Sequence, residues 1–237
     1  MAVLLALDLT QRRACVALAD GEENYVRAFA GQATHGDDFL FAELDALLLE
    51  SGVGKSELDA VAVAVGPGSF TGIRVSVAAA KGIATALGIG VIALPSAWIE
   101  AEALRQKTGR AEALVALACK KGTAWLAPCV YRDARWRCVQ DPRVGGVDVL
   151  SEMAAAMHAD GHTTAVGLMH DEHIDATLLE EARRLGLVSE PLCADGPALL
   201  AVVRERMACS ELIDPMSLLP IYPREPEAVT IWESRSR

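Results

Sequence analysis

Apolar positions in the first hundred residues alternate between short runs and helical repeats. The runs "VLLALDL", "RACVALAD" and "YVRAFA" predict three strands, and the D-G pair in "ADGEEN" predicts the hairpin turn between the last two. Leu40, Leu44, Leu47 and Leu48 recur at helical spacing and predict a helix from about residue 37 to 51. A strand "LDAVAVAV", a helix "VSVAAAKGIATAL", a strand "GIGVIAL" and a helix opened by Pro95 follow. The predicted order is β-β-β-α-β-α-β-α.

The second half repeats this order more weakly after a polar break, "KTGRAE". Three strands precede a helix from Ser151, a strand "TTAVGL", and helices at about 171–185 and 196–209. The repetition predicts an α/β fold of two ribonuclease-H-like subdomains, the second divergent, at 1–107 and 108–214. The proline-interrupted residues 215–237 are expected to form an irregular tail.

Charge and composition narrow the function classes. The net charge of −10 disfavours unassisted nucleic-acid binding, because neutralising phosphates supplies most of that affinity. No apolar run reaches the roughly 18 residues typical of a membrane span. The N-terminal run lacks a basic leader, and Asp8 interrupts it. The six cysteines are scattered without a C-x-x-C pair, which favours reduced thiols in a cytoplasmic protein.

The string "GPGSFTGIR" between a strand and a helix is the most specific motif of the chain. It lacks the phosphate-loop Lys-Ser or Lys-Thr pair and the G-x-G-x-x-G spacing. Two interpretations stay open: an anion site at a helix N-terminus, or a turn capped by its hydroxyl residues. Phe70 is expected to fill a core or interface, and Arg74 to reach an anion or a carboxylate such as Asp8. The candidate residues are Asp8, Gly66, Gly68, Ser69, Phe70, Thr71, Gly72 and Arg74.

The same string, with its surroundings, resembles the TsaB (YeaZ) family of tRNA threonylcarbamoyladenosine biosynthesis. "LLALDLTQRRACVALADG" is similar to the family's opening, and His35 to its histidine before the first helix. The block from "LDAVAVAV" to "VIALPS" follows the family core, and "LPIYPREPEA" resembles its closing motif. The resemblance implies an actin/Hsp70/sugar-kinase type (ASKHA) fold.

The resemblance also bears on catalysis. Asp8 occupies the position of the carboxylate that organises a metal–nucleotide complex in catalytic relatives. The family's aspartate after the first strand of the second half is absent, because Ala118, Cys119 and Lys120 stand there. "GGVD" at 145–148 and "ADGP" at 194–197 are poor candidates for a second phosphate loop. No catalytic residue is therefore assigned.

Partners follow from the resemblance. It implies a non-catalytic subunit that binds and activates the transferase TsaD, helps to recruit TsaE, pairs with itself when TsaD is absent, and meets tRNA only through the complex. The two helices flanking the glycine loop would form the docking face. No cofactor is expected, and a nucleotide at the partner interface stays an open alternative. The interface candidates are Leu40, Leu44, Leu47, Leu48, Val75, Ala78, Ala79 and Gly82.

Competing hypotheses are weighed on the same residues. A stand-alone ASKHA-type ATPase or kinase is favoured by Asp8 and the glycine loop, and opposed by the missing second loop. TsaD itself is opposed by the absence of histidines in "LPSAWIEAEA", and a peptidase by the lack of a nucleophile–base set. His158 and His162 have i, i+4 spacing, but Gly161 breaks the helix between them, so no metal site is expected.

Overall fold

The first half of the chain forms a five-stranded sheet flanked by helices. A computed structural model describes residues 2–11, 13–30, 39–119, 122–159, 167–192 and 194–223. The first-half elements are β1 (Val3–Asp8), β2 (Arg13–Asp20), β3 (Glu23–Ala30), α1 (Phe39–Ser51), β4 (Ala60–Gly66), α2 (Phe70–Leu87), β5 (Gly90–Pro95) and α3 (Ser96–Thr108). The predicted order of strands and helices is confirmed.

Strand order in this sheet is β3-β2-β1-β4-β5. β1 pairs antiparallel with β2 and parallel with β4. The β2–β3 hairpin turns at Gly21, whose positive φ of 57° suits glycine, as the D-G signal predicts. β4 reads as a continuous apolar run, "AVAVAVG", because both of its faces are buried.

The second half builds a sheet with the same plan. Its elements are β6 (Glu112–Ala118), β7 (Ala124–Arg132), β8 (Arg135–Cys138), β9 (Arg143–Gly145), α4 (Val147–Ala159), β10 (Gly167–His170), α5 (Ala176–Arg184), β11 (Val188–Pro191) and α6 (Gly196–Ala208). The order is β11-β10-β6-β7-β8, with β7 antiparallel and β10 parallel to β6. Both halves therefore share the ribonuclease-H-like strand order, and the α/β class with two such subdomains is confirmed.

Four details differ from the sequence-based expectation. β9 and the edge strand β11 were not predicted, since both are short and neither carries an alternating apolar pattern. α4 begins four residues before Ser151, directly after Gly146. α5 begins at Ala176 rather than near Asp171, because the Asp175 carboxylate caps it by accepting a hydrogen bond from Thr177 N.

The molecule consists of five layers. α1 and α2 cover the outer face of the first sheet, and α4 and α5 cover the outer face of the second. α3 and α6 lie between the two sheets and join both in one apolar core. α6 contacts β1, β2, β3 and β5 of the first sheet as well as β8 of the second. The sequence-based boundaries at 107/108 and 214/215 stay predictions.

The chain beyond α6 returns to the first sheet. Val91 and Ile213 exchange two backbone hydrogen bonds at the edge of β5. A 3₁₀ turn at Pro215–Ser217 follows, and Leu218 is fully buried under α2. Ile221 N then donates to Val65 O over 2.8 Å at the end of β4. We call residues 210–223 the strap.

α2 is apolar and long enough, by length and composition, to count as a candidate membrane span. One such helix is weak evidence for a membrane. Its Ile73, Ala80 and Ala84 pack on the first sheet as in a core helix.

Candidate functional site

The glycine loop joins the end of β4 to the start of α2. Gly66 has a φ of 101°, a backbone conformation that residues other than glycine rarely adopt. Ser69, rather than Thr71, caps the helix: its Oγ accepts a hydrogen bond from Gly72 N over 3.2 Å. Because of this cap, α2 begins at Phe70, five residues before the predicted helix start at Val75.

The other two glycines allow the β1–β2 turn to approach the loop. A Cβ at Gly68 would overlap the carbonyl oxygen of Thr10, and one at Gly72 would overlap that of Leu9. Ser69 N donates to Thr10 O over 2.7 Å. Gly68 is not among the glycines with a positive φ, so close backbone approach is the reason for glycine there.

This packing weakens the anion interpretation of the loop. The carbonyl oxygens of Leu9 and Thr10 lie against the loop, and their partial negative charge beside the start of α2 disfavours an anion there. The Arg74 guanidinium lies over the Phe70 ring, 5.2 Å from its centroid. Among the described residues, Arg74 forms no ion pair with Asp8, so the expected contact between them is not seen. The contacts favour an architectural turn.

Asp8 is buried at the end of β1 and bonded within its own turn. Its Oδ1 accepts hydrogen bonds from Thr10 N over 2.9 Å and from Thr10 Oγ1 over 2.7 Å. Ser96 Oγ, at the start of α3, donates to Thr10 Oγ1 over 3.2 Å. Burial raises the pKa of Asp8, although both Thr10 hydrogen bonds act to lower it. The carboxyl is held as part of the scaffold.

The glycine loop presents Phe70 to solvent, so of the two expected places for this side chain, a core or an interface, the core is excluded. Phe70 is 59% exposed and contacts Tyr222 of the strap, with the ring centroids 5.4 Å apart. Phe70, Arg74, Ala78 and Gly82 follow one another at i, i+4 spacing, and all four are exposed. We call these four residues the outer stripe of α2. Tyr222 was missed as a site residue, although the closing-motif resemblance includes it.

Several of the predicted interface residues face the core instead. Leu40, Leu44 and Leu47 of α1 are buried against the first sheet, and Leu48 is partly buried beside them. The leucine spacing thus marks a core-facing helix side, which is the usual role of such a pattern. On α2, Ala79 is buried and Val75 half-buried, whereas Ala78 and Gly82 are exposed. The exposed apolar side chains of α1 are instead Phe39, Phe41 and Leu49.

The second half has no loop free to grip a phosphate within its described residues. A Cβ at Gly145 would meet the side chain of Val149, and one at Gly196 that of Val26, so both glycines are used for packing. The Asp195 carboxylate caps α6 by accepting a hydrogen bond from Ala198 N over 2.9 Å, which places negative charge at that helix start.

The Asp171 carboxylate contacts the backbone at Ala118, the first of the three residues that stand where the family motif has its aspartate. Its Oδ2 accepts a hydrogen bond from Ala118 N over 2.6 Å, and its Oδ1 one from His173 N over 2.8 Å. This carboxylate follows β10 rather than β6, so it ties the ends of two neighbouring strands together. The sequence gives no signal for this role.

Metal ligands do not converge in the described part of the chain, where no three His, Cys, Asp or Glu residues could hold an ion. His35 and His162 lie outside the described residues, as do Lys120 and the end of the closing motif. The cysteines at positions 15, 119, 129, 138 and 209 are free thiols.

Comparisons with known proteins agree with this geometry. The family model described as "TsaD: tRNA N6-adenosine threonylcarbamoyltransferase" matches residues 38–122. No curated protein matches the chain. A crystal structure of an uncharacterized protein with similarity to peptidase YeaZ from Pseudomonas aeruginosa has a TM-score of 0.79 at 22% identity, covering 94% of this chain and 100% of that one.

YeaZ from Pseudomonas aeruginosa itself has a TM-score of 0.74 at 21% identity, again covering 94% of this chain and 100% of that one. The two solved structures thus match over nearly the whole length of both chains, whereas the family model matches only the part around the glycine loop. Together, these findings show that the chain has the fold of these two YeaZ-type structures and carries a TsaD-like segment at residues 38–122.

Proposed function

We propose that this chain is a non-catalytic subunit of the cytoplasmic machinery that makes threonylcarbamoyladenosine in tRNA. It docks on the transferase TsaD, holds that enzyme in its active shape and helps to recruit TsaE. The observation that carries the proposal is the outer stripe of α2, which is exposed. It lies beside a glycine loop against which the backbone of the β1–β2 turn packs.

A non-catalytic role is supported by how the polar groups are used. The Asp8 carboxylate is buried and hydrogen-bonded by Thr10. The start of α2 faces carbonyl oxygens, and the start of α6 faces the carboxylate of Asp195. A nucleotide phosphate would meet negative charge or partial charge at both helix starts, which disfavours its binding.

Docking through α2 is supported by the chemistry of the outer stripe. Ala78 and Gly82 have almost no side chain, so a partner helix could approach the α2 backbone closely. Phe70, with Arg74 over its ring, offers a large apolar anchor next to them, and buried aromatic anchors commonly dominate binding energy. The same face would pair two copies of this chain when TsaD is absent.

Contact with tRNA is proposed to require the assembled complex. The chain carries 32 acidic against 22 basic residues, and two arginines that lie close together on β8 are each near an acidic side chain. Arg137 pairs with Asp133 at 3.6 Å, and Arg135 approaches Glu211 at 4.0 Å. A nucleotide held at the TsaD interface would likewise depend on residues that the partner supplies.

Reconstituted threonylcarbamoyl transfer to tRNA tests the proposal, with TsaD, TsaE and this chain as separate components. We expect transfer to require the chain, and Ala78→Arg to abolish both co-purification with TsaD and transfer. Ala155→Arg, the same change at an exposed position of α4 on the opposite outer layer, is the matched control and should keep both. Circular dichroism would show that both variants fold.

Two results would overturn the proposal. One is undiminished transfer with a folded Ala78→Arg chain. The other is steady ATP hydrolysis by the chain alone that disappears in Asp8→Ala, which would instead establish the stand-alone ATPase hypothesis.

A further inference from the structure

Two cysteines face each other across the β7–β8 hairpin. Cys129 and Cys138 are directly opposite in the antiparallel register, and their Sγ atoms are 3.9 Å apart. Neither thiol has a role in the proposed function. The two cysteines are 9 positions apart in sequence and form no C-x-x-C motif, so only the hairpin register brings them together.

The register places this pair at a position suited to a disulfide. Val139 N donates to Pro128 O, which makes the neighbouring pair a hydrogen-bonding position. Cys129 and Cys138 therefore occupy a non-hydrogen-bonded position, where opposite Cα atoms approach to about 4.5 Å. Disulfides form when Cα atoms are roughly 4.4–6.8 Å apart, so the backbone already has the required spacing.

The two thiols differ in access to solvent. Cys129 is fully buried, whereas Cys138 on the edge strand β8 is only partly buried. A small oxidant therefore meets Cys138 first, and Cys129 can react only with a group already attached to Cys138.

We propose that Cys129 and Cys138 are an oxidation site, at which a peroxide converts the two thiols to a cross-strand disulfide. Cys138 is the thiol that reacts with the peroxide, and Cys129 is the resolving thiol that attacks oxidised Cys138. The bond fastens the edge strand β8 to β7 two residues from Trp136, whose side chain is fully buried between the sheets.

Each step balances with hydrogen peroxide as the oxidant. The Cys138 thiolate sulfur attacks one peroxide oxygen, the O–O bond breaks, and the departing hydroxide takes a proton to become water. Cys138 is then a sulfenic acid. The Cys129 sulfur attacks the Cys138 sulfur, the S–O bond breaks, and the hydroxide leaves as water with the Cys129 proton. Two thiols are oxidised to a disulfide, and one peroxide is reduced to two waters.

The electrostatic surroundings support this division of roles. The hydrogen bond from Cys129 lowers the pKa of Cys138, and Trp98 and Arg206 lower it further against the effects of burial and Asp141. The same contact with Cys138, together with burial, raises the pKa of Cys129. The thiolate, which is the reactive form, thus develops on the accessible sulfur.

Peptide mapping of the full chain tests the proposal in a Cys209→Ser background, which removes the exposed thiol. The folded protein is treated with hydrogen peroxide, alkylated in denaturant and digested with trypsin. We expect peptide 122–132 joined to peptide 138–143, two hydrogen atoms lighter than their sum and separated by dithiothreitol. The same treatment of the chain unfolded in urea should lose most of this link.

Single variants assign the two roles. In Cys129→Ser, Cys138 should gain two oxygen atoms as a sulfinic acid, since no resolving thiol is left. In Cys138→Ser, Cys129 should remain fully alkylated, because peroxide does not reach it. Cys129→Ala replaces the first variant if circular dichroism shows that it does not fold.

The proposal is overturned if the folded Cys209→Ser protein keeps both thiols alkylated at a peroxide dose that oxidises Cys209 in the parent. It is equally overturned if Cys138 reaches the sulfinic state with Cys129 present, or if either thiol links to another cysteine instead.

Discussion

At the scale of single residues, we expect two glycines of α2 to affect stability in opposite directions when they are replaced by alanine. Gly72 and Gly82 both belong to α2, where glycine ordinarily costs about 1 kcal/mol relative to alanine. A Cβ at Gly72 would overlap the Leu9 carbonyl oxygen, whereas one at Gly82 meets nothing within 4 Å. We expect Gly72→Ala to lower the free energy of unfolding by roughly 1–3 kcal/mol. Gly82→Ala should raise it by about 0.5–1 kcal/mol. Urea denaturation measures both, and a Gly72→Ala chain as stable as the parent would contradict the close approach of turn and helix.

Asp8 provides a second residue-scale prediction, on pH. Because its folded pKa is raised, the native state binds a proton more tightly than the unfolded chain. The free energy of unfolding should therefore gain a contribution as the pH falls from neutral toward about 3.9, the value of free aspartate. Asp8→Asn keeps an oxygen to accept the Thr10 hydrogen bonds, so it should remove this contribution and be at least as stable as the parent at pH 7. A less stable Asp8→Asn with the parent's pH profile would show that burial does not dominate.

At the scale of elements, the strap holds the glycine loop and α2 in place. Leu218 is fully buried against the first sheet, while its neighbour Leu219 is 72% exposed. Leu218→Ala should lower the free energy of unfolding by about 2–5 kcal/mol, because it leaves a cavity under α2. Leu219→Ala should change it by no more than roughly 0.5 kcal/mol. Equal effects of the two substitutions in thermal or urea denaturation would mean that the strap does not pack on the sheet.

At the scale of the whole molecule, a buried charged cluster connects the layers between the sheets. Arg206 of α6 is 4% exposed, pairs with Glu205 at 2.8 Å and donates to the backbone oxygen of Trp136 on β8. Its guanidinium also lies 3.8 Å from the centroid of the Trp98 ring on α3. One side chain thus contacts both central helices and a strand of the second sheet.

Removing the Arg206 guanidinium should weaken the packing between the two halves of the molecule. Arg206→Met leaves the buried Glu205 carboxylate with only its hydrogen bond from Trp136 N, and the Trp136 carbonyl without the guanidinium. This should lower the free energy of unfolding by about 3–5 kcal/mol. Arg184→Met, which removes the solvent-exposed Arg184 guanidinium from its ion pair with Glu181 on α5, should have a much smaller effect. Fluorescence and circular dichroism followed together would also report whether the halves still unfold in one transition. Similar small losses in both variants would argue against a structural role for the cluster.

The sequence by itself determined the class of fold and the order of the larger elements. Apolar periodicity is a local property, so strands such as "AVAVAVG" and the leucine helix Phe39–Ser51 can be recognised without knowing what they pack against. The repeated element order then indicated two related halves, and the glycine string indicated a turn that opens a helix. Short edge strands such as Val188–Pro191 were not predicted, because their backbone pairing leaves little pattern in the side chains.

Only the tertiary structure decided which side of each element is exposed to solvent and which is buried. Leucine spacing cannot distinguish a docking face from a core face, and the sheet turned out to occupy the leucine side of α1. Phe70 is exposed because the β1–β2 turn fills the space inside its loop, and Tyr222 reaches it from 152 positions away along the chain. Cys129 and Cys138 face each other only through strand register. Such contacts depend on distances between segments remote in sequence, and no local pattern of residues encodes those distances.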